Sequence, residues 1–174
     1  MPEPSYLLRP IDPTDRVNKL KLDTADGALS AFLQRSSRAF HENNYAKTFV
    51  FVDQNEPAPR KVVAYLSILA SEIKIEDPLS DPPPPRNSYP AIKIGRLAVD
   101  NRLHRRSLGK QLVAFAVATA KREIMPRIGC RLMVVDANRP AIDFYKKCGF
   151  VMLNTKENAT LETPLMFIDL QKIG

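Results

Sequence analysis

Apolar and polar positions follow two different periods along this chain, and the switches between them outline its elements. Leu29, Phe32, Leu33 and Phe40 share one face at helical spacing, so GALSAFLQRSSRAFHEN predicts one amphipathic helix of about four turns. TFVFVD (48–53) and VVAYLSILA (62–70) are dense in β-branched and aromatic residues. They flank QNEPAPRK, a proline-bearing turn, and together predict an antiparallel hairpin. SYLLR near the start predicts a short strand ended by RPIDPTD, and AIKIGRLAV (91–99) predicts another. SLGKQLVAFAVATAKREI then places Leu108, Leu112, Phe115, Ala116, Thr119 and Ala120 in helical phase. CRLMVV reads as a buried strand. In DANRPAIDFYKKCGF, Pro140 suits a first helical turn, Lys146 and Lys147 a last one, and Gly149 the position just past the end. TPLMFIDL predicts a closing strand. The order strand, helix, three strands, helix, strand, helix, strand predicts a mixed α/β fold on a single sheet.

Between the hairpin and the next strand, EDPLSDPPPPRNSYP holds six of the fifteen prolines. Four in a row exclude helix and central strand and favour extended polyproline II, a stiff surface connector over about 77–90. A ligand for a proline-recognising module is the other reading of such a segment. The 174 residues suffice for one domain with a sizeable core. No repeat is visible, and no apolar run approaches the ~18–20 residues that cross a bilayer. The start, MPEPSYLLRPID, has proline and acid where a signal peptide has a basic start and an apolar core. Cys130 and Cys148, the only cysteines, lie in or beside apolar runs and suggest a reducing compartment rather than a disulfide framework. The expectation is a soluble cytoplasmic protein.

Charge sharpens this picture by its placement. The net charge is +7, yet Arg96–Phe150 alone carries twelve Lys/Arg against four Asp/Glu, leaving the remainder near neutral. Such a concentration suits an anionic ligand, a phosphorylated cofactor or a nucleic acid, although a solvated basic face has the same composition. HRRSLGK (104–110) stands where a strand gives way to a helix. A first helical turn offers amides without internal partners and a positive dipole end, which together bind phosphate. Glycine lets a ligand approach and takes positive φ cheaply, and this loop has only Gly109.

LAVDNRLHRRSLGKQL, followed about thirty residues later by DANRPAIDFYKKCGF, resembles the GNAT superfamily of acyl-CoA N-acyltransferases. Asn138, Ala141, Phe144, Tyr145, Gly149 and Phe150 match that family's later motif. The earlier motif, Q/R-x-x-G-x-G/A, is matched in part: counted from Val99, its sites fall on His104, Ser107 and Gly109, with Leu112 on the following leucine. Sliding by two sets Arg106 and Gly109 on the first two sites but puts Gln111 on the last. Ser107 keeps an amide and a hydroxyl that can cap the helix, and Arg105 and Arg106 can add charge-assisted bonds to phosphate.

The resemblance implies one domain over 1–174, with a mainly antiparallel mixed sheet, splayed at an acetyl-CoA site and flanked by helices. It implies acetyl-CoA contacts from Leu97, Ala98, Val99, His104, Arg105, Arg106, Ser107, Leu108, Gly109, Lys110, Asn138 and Phe144. The strand holding Leu97 and Val99 would offer backbone groups to pantetheine and to the thioester oxygen. Tyr145 would be the catalytic acid for the departing thiolate, while Asn138 also suits a tie between strand end and helix start. No carboxylate stands out as general base; Asp100 and Asp136 suit turns or caps, His41 suits an exposed helix end, and no cluster has metal-ligand spacing. Within the superfamily the chain is similar to the toxin branch that acetylates the amino acid on charged tRNA, through LDTADGALSAFLQR before TFVFVD, GRLAVD, and the closing TPLMFIDL. That branch implies a small DNA-binding antitoxin, a homodimer, and tRNA contacts from Arg96, Arg102 and Arg139 beside the loop arginines. Acetylation of a small amine, a protein N-terminus or a lysine is the alternative, and a non-catalytic acetyl-CoA-binding or antitoxin-binding module is another.

Overall fold

The computed structural model describes residues 3–18, 20–23 and 26–174. Thr24 and Ala25, within the stretch compared with the toxin branch, lie outside the described residues, as do Met1, Pro2 and Lys19. The described residues form seven strands: β1 (Tyr6–Pro10), β2 (Lys47–Asp53), β3 (Val62–Lys74), β4 (Ser88–Val99), β5 (Leu132–Asp136), β6 (Val151–Met152) and β7 (Leu165–Asp169). They form one open mixed sheet in the order β1-β2-β3-β4-β5-β7-β6. The pairs β1–β2, β2–β3, β5–β7 and β6–β7 are antiparallel, and β4–β5 is parallel. The flanking helices are α1 (Gly27–Arg35), α2 (Ser37–Glu42), α3 (Leu108–Thr119), α4 (Ile142–Lys147) and α5 (Lys156–Thr160). The mixed, mainly antiparallel sheet is the one expected. By internal contacts the chain divides into two compact units, residues 1–69 with 95–113 and residues 70–94 with 114–174.

In the first unit the expected hairpin forms, with Phe49 opposite Leu66 and a register shift at Phe51/Val52. Its core gathers Leu33, Val50, Val52, Val62 and Tyr65, none more than 1% exposed, with Phe32 packed among them. The Tyr65 hydroxyl donates to the Leu29 carbonyl at 2.7 Å, so the one polar atom of a buried ring is satisfied. The single helix expected over 27–43 is instead two, broken at Ser36 (φ −123°). The Ser37 hydroxyl donates back to the Leu33 carbonyl at 2.6 Å, a bond of the kind that bends helices. His41 is half-buried rather than exposed, and its Nδ1 accepts the Thr48 amide at 3.0 Å. Burial, with Lys47 nearby, lowers its pKa.

In the second unit Ile75, Tyr89, Ala91, Leu132 and Val134 form the core. The proline segment is pinned at both ends. Tyr89, 1% exposed, accepts the Leu79 amide at its hydroxyl (2.8 Å), and Asn87 donates to the Glu76 carbonyl (3.0 Å). Pro84 has the expected extended backbone (φ −69°, ψ 157°). The strand after it begins at Ser88, earlier than AIKIGRLAV predicts, with Pro90 inside. β6 and α5 carry no expectation from the sequence pattern; both are too short for a period to show. The helix from Leu108 ends in a π-turn over Ala120–Ile124 rather than continuing as α-helix. Cys130 and Cys148 are half-buried thiols, not joined in a disulfide. Among the described residues no helix is long and apolar enough to cross a membrane.

Candidate active site

The segment HRRSLGK begins in the last turn of a short 3-10 helix, Asn101–Arg106, and turns into α3 at Ser107. That turn is left-handed: Ser107 has φ +56° and ψ 20°. A left-handed residue between two helices of different pitch redirects the chain, and glycine takes that conformation without a Cβ penalty. The expected hydroxyl cap is not made. Ser107 instead uses its carbonyl, which accepts the Gln111 amide at 3.1 Å. Among the described residues the amides of Leu108, Gly109 and Lys110 have no partner, as the first turn of a helix leaves them. Leu108 is 2% exposed and its side chain belongs to the core, so its amide is what it can offer a ligand.

Arg105, Arg106 and Lys110 are exposed and form no ion pair with a described residue. Three cations beside three free amides fit the pyrophosphate and phosphate groups of a nucleotide cofactor. His104 turns back instead. Its Nε2 lies 3.2 Å from the Val99 carbonyl, so that nitrogen carries the proton and the ring ties the loop to the strand end.

Asp100, fully buried, anchors the start of this loop. It accepts from Arg102 Nε (2.8 Å), Arg102 Nη2 (2.7 Å), the Arg102 amide (3.1 Å) and the Lys21 amide (3.2 Å). Burial alone raises its pKa, but these donors outweigh it and hold the carboxyl down at about 2. Asp100 is therefore the cap expected, with a larger task than capping. Asp136, at the end of β5, is ion-paired with Lys93.

Leu97 and Val99 are half-buried and Ala98 is 5% exposed. Bonds from Asp100 N to Val63 O (2.9 Å) and from Ile75 N to Asn87 O (3.1 Å) bracket β3 and β4. Gly95 lies in this span, where an added Cβ would meet Leu69 Cδ2 at 3.0 Å. The pairing of β4 with β5 ends at Ile94↔Val135.

The three arginines expected at tRNA differ in their surroundings. Arg102 is spent on Asp100. Arg139 donates to the Ala159 and Leu161 carbonyls. The guanidinium carbon of Arg96 stands 3.7 Å from the centre of the Phe32 ring.

In the second unit, Tyr145 lies on α4, which begins after the 3-10 turn Arg139–Ala141. Its ring meets Phe144 and Phe150 edge-to-face at 5.1 and 5.4 Å. The residue is 6% exposed, and burial, with Cys148 adding to it, pushes the phenol well above its ordinary 10.0. It stays a donor across the neutral range, and its hydroxyl bonds to no described residue. Asn138 is exposed and its side chain makes no cap. The tie expected from it runs through the backbone, its carbonyl accepting the Ala141 amide at 2.8 Å. Gly149 closes α4 with φ +96°, a left-handed C-terminal stop. Among the described residues no group of His, Cys, Asp and Glu could hold a metal ion.

A central strand running into a left-handed turn, free amides and free cations makes an α/β protein built to hold a phosphorylated cofactor. The model of the acetyltransferase (GNAT) family matches residues 21–150, and the chain belongs to that family. It is an acetyltransferase, and acetyl-CoA is its acyl donor. Among solved structures it is similar to AtaT complexed with acetyl-methionyl-tRNAfMet (TM-score 0.82, 21% identity, covering 96% of each chain). It is also similar to a tyrosine-to-phenylalanine mutant of the AtaT toxin bound to acetyl-CoA and the C-terminus of the antitoxin AtaR (TM-score 0.76, 22% identity, 95% of this chain and 94% of that one). A third is a tyrosine-to-phenylalanine mutant of KacT (TM-score 0.78, 19% identity, 95% of each).

Two features of the site have no signal in the sequence pattern. Phe32 and Arg96 are far apart in the chain, and no spacing rule links them. Lys21 reaches Asp100 through a backbone amide, which any residue could supply.

Proposed function

We propose that the protein transfers the acetyl group of acetyl-CoA to the α-amine of an aminoacyl-tRNA, as the toxin of a toxin–antitoxin pair. The observation that carries the acceptor is the state of the carboxylates at the strand ends. The Asp100 carboxyl is held well below the usual carboxylate range by Arg102 and two amides, and Asp136 is ion-paired with Lys93, so neither stands as a free base for the acceptor amine. The acceptor must then bring a neutral amine. A lysine, with a reference pKa near ~10.4, is almost wholly charged at neutral pH, whereas an α-amine near ~8 is on the order of a tenth neutral. Esterification of the amino acid also removes its carboxylate, which suits a basic surface.

On this reading the cofactor supplies an activated thioester. The amides of Leu108, Gly109 and Lys110, with Arg105 and Arg106, hold its phosphates. The backbone of Leu97–Val99 aligns the pantetheine arm and stabilises the thioester oxygen, with Ala98 fixing the strand from the core. The amine nitrogen would bond to the carbonyl carbon as the carbon–sulfur bond breaks; Tyr145 gives its proton to the departing thiolate, and the proton shed by the acylated nitrogen returns, through water, to the phenolate. Phe144 holds the Tyr145 ring, and Asn138 is free to meet the cofactor. The same reading makes the protein a cytoplasmic one, dimeric, and neutralised by a small DNA-binding antitoxin.

The test is transfer from labelled acetyl-CoA to total charged tRNA by wild type and by Tyr145→Phe. Wild type should label the RNA, and the variant should bind acetyl-CoA with similar affinity while losing at least about tenfold in turnover. A fully active variant removes Tyr145 from the acid role. Binding without transfer by wild type, to charged tRNA or to small amines, would make the chain a binding module instead.

A further inference from the structure

We infer that Thr48 and Ser67 hold an ordered water between β2 and β3, a buried site that belongs to the framework where α2 meets β2 rather than to the cofactor or the acceptor. Both residues are 0% exposed, and neither hydroxyl has a hydrogen-bond partner among the described residues. They stand opposite each other in the antiparallel pair, so their side chains leave the sheet on the same face. The backbone shows how close they come. The Thr48 amide donates to His41 Nδ1 at 3.0 Å, and the Thr48 carbonyl accepts the Ile11 amide at 3.1 Å. Its main-chain groups therefore point away from β3. That makes Thr48 and Ser67 a non-hydrogen-bonded pair, the kind in which opposite Cα atoms lie about 4.5 Å apart and side chains approach most closely.

A hydroxyl taken out of water still needs a partner, and two unmet at one spot is a cost that native cores avoid. The next pair on that face offers them nothing. Val50 is apolar, and the Tyr65 hydroxyl is given to the Leu29 carbonyl. A water fits, because it donates and accepts as both hydroxyls do, and it reaches two oxygens that do not bond each other. On the β4 side there is no side chain to take that place. Gly95 lies there, where an added Cβ would stand 3.7 Å from Ser67 Oγ. The third buried polar atom without a partner, Arg38 Nε, is a different case, since its guanidinium already donates through Nη2 to the Asp15 carbonyl.

A crystal structure of the wild type, at a resolution that shows ordered waters, tests the site directly. It should show one solvent peak about 2.7–3.0 Å from both Thr48 Oγ1 and Ser67 Oγ. A direct bond between the two hydroxyls, or no peak at that place, overturns the inference. In solution the measure is the thermal midpoint of Thr48→Val, Ser67→Ala and the double variant. Each single change removes one anchor of the water and leaves the other hydroxyl unmet, and should lower the midpoint by about 4 °C. The double variant removes both hydroxyls and should fall no further than either single, because an apolar pair needs no water. Losses that add would mean that the hydroxyls answer to separate partners, and would overturn the shared site. Acetyl-CoA affinity should stay within about twofold in all three variants. A loss of about tenfold or more would place the pair in the cofactor site instead of the framework.

Discussion

Ser107 shows how one residue sets the geometry of a loop. The family's motif has glycine at this site, and the chain takes the glycine-like left-handed conformation there with a serine. Holding an L-residue in that region costs about 1–2 kcal/mol. A glycine at the same place would avoid the strain but lose about 0.5–1 kcal/mol of chain entropy. Ser107→Gly should therefore leave the thermal midpoint unchanged or raise it, by at most about 6 °C. It should also preserve or tighten acetyl-CoA binding, read by calorimetry; a large loss of affinity would show that the hydroxyl is a ligand. Tyr145 makes a second prediction at this scale. Because burial raises its pKa above 10.0, its hydroxyl keeps the proton at every pH below that value. The kcat for transfer should show no alkaline decline with a midpoint below pH 10, and such a decline, absent from Tyr145→Phe, would place the phenol in a wetter setting.

At the scale of elements, the join between β4 and the loop depends on Asp100. Its folded pKa of about 2 lies below its ordinary 3.8, so its stabilisation is complete above 3.8 and is lost as pH falls through about 2. Asp100→Asn should lower the thermal midpoint by a constant amount from neutral pH down to about 4, and the gap should close below that. A gap that persists at pH 2 would mean that shape, not charge, holds the join.

Much at this scale was legible in the sequence. The hairpin, the strand into HRRSLGK and the helix after it all follow from period and composition, because each is long enough to repeat a pattern. The break at Ser36 was not, because Leu33 and Phe40 keep their helical phase across it; the bond from Ser37 to Leu33 that bends the chain is invisible to a period. β4 begins at Ser88 although Pro90 argues against a strand there, since Pro90 still offers its carbonyl, which accepts the Arg131 amide at 2.8 Å. The motif located Tyr145 and Ser107, whereas the partners that separate Arg96, Arg102 and Arg139 required coordinates.

For the whole molecule, the positive charge between Arg96 and Phe150 is less uniform than its sum of twelve cations suggests. Arg102 and Arg131 face carboxylates, while Arg105, Arg106 and Lys110 remain for the cofactor. With both strand-end carboxylates paired, the chemistry falls to an acceptor that is already partly neutral and to a phenol that stays protonated at neutral pH until the thiolate departs. The most direct test is to follow the label after transfer from acetyl-CoA to total charged tRNA, using mild alkali to cleave the aminoacyl ester. The account predicts that the label leaves the RNA as an N-acetyl amino acid, and that deacylated tRNA takes none. Label that stays on the polynucleotide, or that appears only on small amines or protein, would contradict it.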